Sequence, residues 1–282
     1  MRQFVTAAVL FVLTTLVVPA FSELPSGSLT EAEVQDIVQT ESESAMSDPQ
    51  VAWPTFSPAG EKLVDRMRDG FLHTINRESN KWYECGQLTP EEDKSIRAEK
   101  IARYTLAAIR EYDLKWLNPW GVLAVMYSES RGDQCAIGPN SRKAARDLGL
   151  IDAEKPFNQW TKEDIATIFD NPKWKKARGK IGADLGLGQQ VWKRYARILD
   201  PNGDDKCGSK EFRCRIPTLD EILSVEHGPQ VVATGMLTRK IWHRDVRAWT
   251  FWPGTIRNIR YDMRITALIY QLGGKDKEKP VW

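Results

Sequence analysis

The chain lacks the patterns that mark most metal enzymes and nucleic-acid-binding proteins. It has only three histidines, His73, His227 and His243, which are far apart in sequence, and no Cys-x-x-Cys pair. These absences argue against the competing idea of a zinc site. The formal net charge of +2 argues neither way about nucleic acid, but no dense basic stripe accompanies it. We therefore expect no metal, no other cofactor and no nucleic-acid partner.

Long apolar runs are also scarce, and the one that occurs stands at the start of the chain. Arg2 precedes an apolar stretch from Phe4 to Val18, and a small-x-small pattern ends at Ser22. We predict a signal peptide over residues 1–22, cut after Ser22, so that the protein is periplasmic or secreted. A retained membrane anchor is the alternative, because the run is near the lower length limit for spanning a bilayer. After cleavage we expect no stable membrane insertion.

Cysteine is infrequent but even in number. The four residues are Cys85, Cys135, Cys207 and Cys214. An even count in an exported chain is consistent with two disulfides, for which three pairings are possible. Cys207 and Cys214 flank a short polar loop, and we predict that they pair locally. Cys85 then pairs with Cys135, which would brace the segment around Glu129.

Strict alternation of apolar and polar residues is scarce, which leaves little room for a sheet. Helical spacing is common instead: Leu63, Met67 and Phe71 mark one amphipathic helix after Gly60. We predict a mostly α fold with little or no sheet. Residues 23–59 are rich in Ser, Glu and Pro, and they are predicted to be a polar linker or a short helix. The eleven tryptophans suit either core packing or stacking on sugars.

An acidic residue stands where a helix should present an apolar face. Val122, Val125 and Met126 recur at helical spacing toward Glu129, and Gly132 then supplies a plausible stop. The apolar flank and the negative end of the helix dipole would both disfavour ionisation of Glu129. Such a carboxyl would keep its proton near neutral pH and could donate it, as a glycosidase acid must. The alternative is an ordinary solvated glutamate at a helix end.

A glycine-bearing element downstream strengthens the catalytic reading. Glu129-Ser130 followed by Gly186-Leu187-Gly188-Gln189 resembles the lytic transglycosylase and goose-type lysozyme group, which has a catalytic Glu-Ser and then a Gly-Leu-Met-Gln element. A looser match runs from Ala248 to Gly254, where Phe251 stands for a family tyrosine, and continues to Tyr261. The resemblance spans roughly Ala98 to Leu272.

The resemblance implies a lysozyme-like helical domain over residues 60–274, followed by a C-terminal tail at 275–282. It implies that the partner is the peptidoglycan glycan strand of a bacterial cell wall. Glu129 would be the single general acid and base that cleaves the bond between N-acetylmuramic acid and N-acetylglucosamine and leaves a 1,6-anhydro end. It carries over a set of substrate-binding positions: Ser130, Gly186, Leu187, Gln189, Phe251 and Tyr261.

Departures from the family pattern keep other functions open. The family joins its two motifs through about a dozen residues, whereas here an inserted helical segment is predicted at about residues 137–182, with Thr161 and Asp164 as a capping pair. A hydrolytic muramidase or chitinase-like enzyme on the same scaffold would need a second carboxylate, and Asp133 or Asp184 would be the suspects. The substitutions at Gly188 and Trp252 also allow a catalytically silent wall-binding scaffold.

Overall fold

The computed structural model describes residue 29 and residues 31–44, 53–78, 81–111, 119–180, 182–206 and 213–243. The predicted signal peptide, Phe251, Tyr261 and the C-terminal tail lie outside these residues. The described part is mostly helical, as the sequence predicts. Its helices, in chain order, are α1 (Glu31–Ser44), α2 (Pro58–Glu78), α3 (Glu91–Glu111), α4 (Pro119–Ser130), α5 (Pro139–Asp147), α6 (Lys162–Asp170), α7 (Pro172–Arg178), α8 (Leu219–Ile222) and α9 (Gly228–His243).

Short antiparallel strands join the helices. Strands β1 (Tyr83–Glu84) and β2 (Gln87–Leu88) form one hairpin, β3 (Asp184–Leu185) and β4 (Gln190–Val191) form a second, and β5 (Ile198–Leu199), β6 (Asp205–Lys206) and β7 (Arg213–Arg215) form a small sheet in the order β5-β7-β6. In the second hairpin Asp184 pairs with Val191 and Leu185 with Gln190. These strands are two or three residues long, so they shape turns rather than supply a core.

The first hydrophobic core lies between α1, α2, α3, α4 and α9. The predicted face of α2 is confirmed, because Leu63, Met67 and Phe71 are all fully buried. Helix α4 is enclosed on nearly every side, with Val122 to Tyr127 buried without interruption. A helix that is apolar all round belongs inside a protein. This central helix carries Glu129 at its last turn.

Residues 137–182, predicted as an inserted segment, contribute to a second core. Trp160, Phe169 and Trp174 are buried there, together with Leu185 of β3 and Ile222 of α8. The predicted capping pair is confirmed: the Thr161 hydroxyl accepts a hydrogen bond from the Asp164 backbone, and the Asp164 carboxylate accepts one from the Thr161 backbone. The two cores meet at α9, where Val231 belongs to the second and Val232 to the first.

For residues 23–59 the structure shows the predicted alternative of a short helix, α1. This helix is not part of a loose tether, because Val34, Ile37 and Val38 of α1 are buried in the first core. The Glu41 carboxylate, also buried, accepts a hydrogen bond of 3.0 Å from the Ser57 backbone. Polar composition concealed the burial of this helix in the core, because only one narrow stripe of α1 is apolar. Within the described ranges, no helix combines the length and apolarity needed to cross a bilayer.

The predicted disulfide between Cys85 and Cys135 is confirmed. Cys214 is also disulfide-bonded, and its predicted partner Cys207 lies outside the described residues. The first bond joins the β1–β2 turn to the segment after α4, across a sequence separation of 50. It therefore restrains the chain next to the helix that carries Glu129.

Replacing both Cys85 and Cys135 with serine should lower the free energy of unfolding by about 2–5 kcal/mol. The reason is that a cross-link over a long loop restricts the unfolded chain. Urea unfolding followed by circular dichroism would measure the change. Reductant should then destabilise the parent more than the double variant, and equal sensitivity to reductant would contradict the expectation.

Candidate active site

Glu129 lies on the last turn of α4, as expected, but its burial was wrongly predicted. The residue is exposed, whereas Met126, one turn earlier, is fully buried. The error has a physical cause. Helix α4 is apolar on all faces, so its spacing could not show which face leaves the core first. The helix emerges at its C-terminal end, and the carboxyl of Glu129 opens into a cleft.

Ser130 was predicted to bind substrate, and the structure gives it another task. Its side chain is buried, and the hydroxyl donates a hydrogen bond of 2.8 Å to the Met126 carbonyl. The same hydroxyl accepts a hydrogen bond of 3.1 Å from the Gly132 backbone. Ser130 therefore satisfies backbone groups that the helix end would leave unpaired. Ser130 thus caps its own helix end rather than facing a ligand.

The segment after α4 is bound edge to edge with the β3–β4 hairpin. The Gly138 backbone donates to the Asp184 carbonyl at 2.9 Å, and the Gly186 backbone donates to the Ala136 carbonyl at 3.1 Å. Gly138 permits this approach, because a Cβ there would lie 2.6 Å from the Cβ of Asp184. These hydrogen bonds hold the segment that follows Glu129 against the hairpin that contains the Gly186–Gln189 turn. Glu129 and this turn are therefore neighbours in the structure.

Gly186 and Leu187 were predicted to contact substrate, and both face the protein interior instead. Gly186 has a φ of +75°, and a Cβ there would overlap the carbonyl oxygen of Ile222 in α8. Glycine is needed for both reasons. Leu187 is only 1% exposed and belongs to the first core. Gly186 and Leu187 thus support the turn from the interior and do not line the cleft.

Gln189 is the residue of this turn that reaches the cleft. Its side-chain amide nitrogen donates to the carbonyls of Ala136, at 2.8 Å, and Gly186, at 3.1 Å. Both amide hydrogens are therefore used on the backbone, and the carbonyl oxygen of the side chain is left to accept a bond. The backbone of Gln189 has a φ of +47°, a region that side-chain-bearing residues seldom adopt.

The cleft has a volume of about 890 Å³, which lies within the usual range for ligand sites. Glu129 and Gln189 line it together, and Asp184 and Tyr195 line it as well. Helices α5 and α7 of the inserted segment complete its wall. Tyr195 is 41% exposed, so its ring offers an apolar face with a polar edge.

Asp184 is the second carboxylate of the cleft. Burial raises its pKa above the ordinary aspartate value, and this effect outweighs the hydrogen bond from Ser141 and the positive charge of Arg178. Asp133, the other suspect, does not line the cleft. Its carboxylate accepts backbone hydrogen bonds from Cys135, at 2.9 Å, and Cys85, at 3.2 Å. Asp133 therefore holds the disulfide segment in place.

Arg97 anchors the chain that follows α4. Its guanidinium is 4% exposed and donates to the carbonyls of Tyr83 and Gly132 at 2.8 and 2.7 Å. It also donates to the side chains of Thr89 and Gln134, and it lies 4.3 Å from the centre of the Trp82 ring. Burial lowers its pKa, while Glu84 and Asp133 oppose that change. No sequence motif pointed to this residue.

Of the two roles open to tryptophan, core packing is the one that the described residues mostly show. Trp82, Trp120, Trp160 and Trp174 are buried in the two cores. Trp53 is exposed, but it packs against Tyr104 and Arg103, away from the cleft. The lining residue Tyr195 was not predicted, and nothing in its local sequence distinguishes it from a core tyrosine.

The described residues contain one group of potential metal ligands, formed by Cys85, Asp133 and Cys135, with their ligand atoms within 4.8 Å of one another. The two sulfurs are joined in the disulfide, so neither is a thiolate that could bind a metal. Comparisons of the chain with protein-family models, curated proteins and solved structures return no match.

The Asp184→Asn variant should gain stability relative to the parent as the pH rises from about 3 to about 7. A raised pKa means that the folded state prefers the protonated carboxyl, so the parent loses stability as the pH rises through this range. Asparagine does not ionise and escapes that loss. Urea unfolding of both proteins at several pH values tests this, and a difference that stays constant or shrinks would contradict it.

Replacing Arg97 with methionine should lower the free energy of unfolding by about 3–5 kcal/mol. Methionine fills similar volume but leaves buried acceptors at Gly132 and Tyr83 without a donor. Urea unfolding measures the loss. The matched control is Arg213→Met, at an exposed position of β7, for which a change within about 0.5 kcal/mol is expected. Equal effects of the two substitutions would show that the Arg97 contacts contribute little.

Proposed function

We propose that this protein is an exported lytic transglycosylase that cleaves peptidoglycan glycan strands, with Glu129 as the acid and base. One observation carries the proposal. The exposed carboxyl of Glu129 and the amide side chain of Gln189, which belong to the two resembling motifs, line one cleft although they are distant in sequence. The lysozyme-like fold that the resemblance implies is part of this proposal.

The proposed reaction needs one proton donor. Glu129 gives its proton to the oxygen that links N-acetylmuramic acid to the next sugar, and the bond from that oxygen to C1 breaks. The C6 hydroxyl of the muramic acid then bonds to C1 and returns its proton to Glu129. The product carries a 1,6-anhydro ring, and no water is consumed.

The exposure of Glu129 changes how its proton would be held. In the free protein the carboxyl faces the cleft, so the apolar flank expected from the sequence is not what surrounds it. A glycan in the cleft would displace water from this carboxyl, and loss of hydration favours the neutral, proton-carrying form. The substrate itself thus completes the environment that the reaction needs.

Gln189 suits the recognition of an acetamido group. Its nitrogen is held by two backbone carbonyls, so the side chain presents its oxygen as an acceptor for the acetamido N–H of the sugar. A strained backbone conformation is a feature that concentrates at functional sites, and Gln189 has a positive φ. Tyr195 adds an exposed ring in the same cleft on which a sugar face can stack.

A hydrolytic glycosidase is the second candidate, and Asp184 is the observation that favours it. Glycosidases that use water ordinarily employ two carboxyl groups at the scissile bond. Glu129 and Asp184 line the same cleft. In this reaction Asp184, once ionised, would orient a water molecule or stabilise the developing positive charge. The product would then be a reducing end.

The test is product analysis of purified peptidoglycan digested in ¹⁸O-labelled water. For the transglycosylase we expect anhydro ends that carry no label, whereas hydrolysis yields reducing ends that contain it. The Glu129→Gln variant should cut the rate by about 10²–10⁴-fold with little effect on folding, because the residue is exposed. The matched control is Glu154→Gln, an exposed glutamate outside the cleft.

Each result has a definite meaning. Digestion by Glu129→Gln at the parental rate would refute the assignment of the acid. Labelled reducing ends that depend on both Glu129 and Asp184 would replace the transglycosylase with the hydrolase. Binding of the wall without cleavage by the parent would leave the silent scaffold as the function.

A further inference from the structure

The inserted segment contributes charge to the cleft that the family resemblance does not account for. Its side chains in the wall include Lys143 and Asp147 from α5 and Arg178 from the end of α7. Lys143 and Asp147 form an ion pair of 2.5 Å, so their charges largely cancel. Arg178, by contrast, forms no such ion pair with a described residue.

Arg178 has no carboxylate within ion-pairing distance among the described residues. Its Nε atom is buried and has no hydrogen-bond partner, and its guanidinium carbon lies 5.7 Å from the centre of the Trp174 ring. Its charge is nevertheless felt in the cleft, since it acts to lower the pKa of Asp184. Arg178 therefore lines the cleft as a positive group whose charge no described carboxylate pairs with.

A second guanidinium lines the cleft. Arg194 is exposed and stacks on the ring of Tyr195 at 4.9 Å. Neither Arg178 nor Arg194 has a carboxylate partner in the described part of the chain, so the cleft presents two positive groups to a ligand. Planar guanidinium groups bind carboxylates through paired hydrogen bonds.

We propose that the inserted segment, through Arg178 and with Arg194 alongside, binds a carboxylate of the glycan and so selects acidic strands over neutral ones. This rests on the proposed function only in taking the cleft for a glycan site. A polymer of N-acetylglucosamine is neutral. A muramic-acid strand carries carboxylates, either on its stem peptides or, where the peptides have been removed, on the lactyl group. Arg178 is thus a specificity-determining residue rather than a catalytic one.

The experiment measures binding by the full chain carrying Glu129→Gln, so that the ligands are not consumed. The probes are an N-acetylglucosamine oligomer, strands that retain their stem peptides, and strands trimmed by an amidase to expose the lactyl carboxylates. Titration calorimetry at two salt concentrations gives each dissociation constant. The variants are Arg178→Gln, Arg178→Lys and the control Lys176→Gln, which removes one charge from an exposed position of the same helix outside the cleft.

We expect Arg178→Gln to weaken binding of one or both acidic strands by about tenfold to a hundredfold. Binding of the neutral oligomer should stay within about twofold. The acidic probe that responds identifies which carboxylate is bound. Arg178→Lys should recover part of the loss, because it keeps the charge but not the paired geometry. Added salt should weaken acidic-strand binding more in the parent than in Arg178→Gln.

Three results would overturn the inference: unchanged acidic-strand binding in Arg178→Gln, equal weakening for neutral and acidic probes, or the same loss in Lys176→Gln. Equal weakening would mean that Arg178 merely supports the fold. The two proposals fail separately. Anhydro product from the wild type together with unaltered binding in Arg178→Gln would refute this one alone. Arg178-dependent binding without any cleavage would refute only the transglycosylase.

Discussion

The candidate site depends on how the chain is held as it leaves α4. Arg97 of α3 holds the segment after α4 on its buried side, because its guanidinium donates hydrogen bonds to the Gly132 carbonyl and to the Gln134 side chain. The disulfide ties Cys135 to Cys85, and the Asp133 carboxylate accepts a hydrogen bond from the Cys135 backbone. A carboxyl on an exposed helix end would otherwise move with a fraying terminus. Glu129 is exposed, but the residues that directly follow it are held in place by these contacts.

The residues that support the cleft are different from those that line it. Three of the motif positions have structural roles. Ser130 caps a helix, Gly186 makes a tight backbone contact, and Leu187 packs in the core. Only Glu129 and Gln189 of those described positions reach the cleft. Most residues at these positions therefore support the cleft, and few of them line it. Gly188 also belongs to the support, because a Cβ there would lie 2.5 Å from a Val232 methyl.

The segment predicted as an insert also combines packing with a contribution to the cleft. It has its own core, built on Trp160 and Trp174, and it shares α9 with the first core. Helices α5 and α7 each bury a residue in this core, and both contribute to the wall of the cleft. The wall brings positive charge to a cleft that also contains Glu129 and Asp184. Opposite charges in one cleft suit a ligand that is itself polar and partly acidic.

Short-range chemistry could be read from the sequence: the predominance of helix, the apolar face of α2, the Thr161 cap and the pairing of Cys85 with Cys135. These depend on spacing, caps and the arithmetic of four cysteines. Exposure could not be read in this way. Whether Glu129 is buried, and whether Asp184 and Arg178 share its cleft, depends on which elements stop short of covering α4. Only the tertiary structure decides this, because solvent access at one residue is set by atoms from distant parts of the chain.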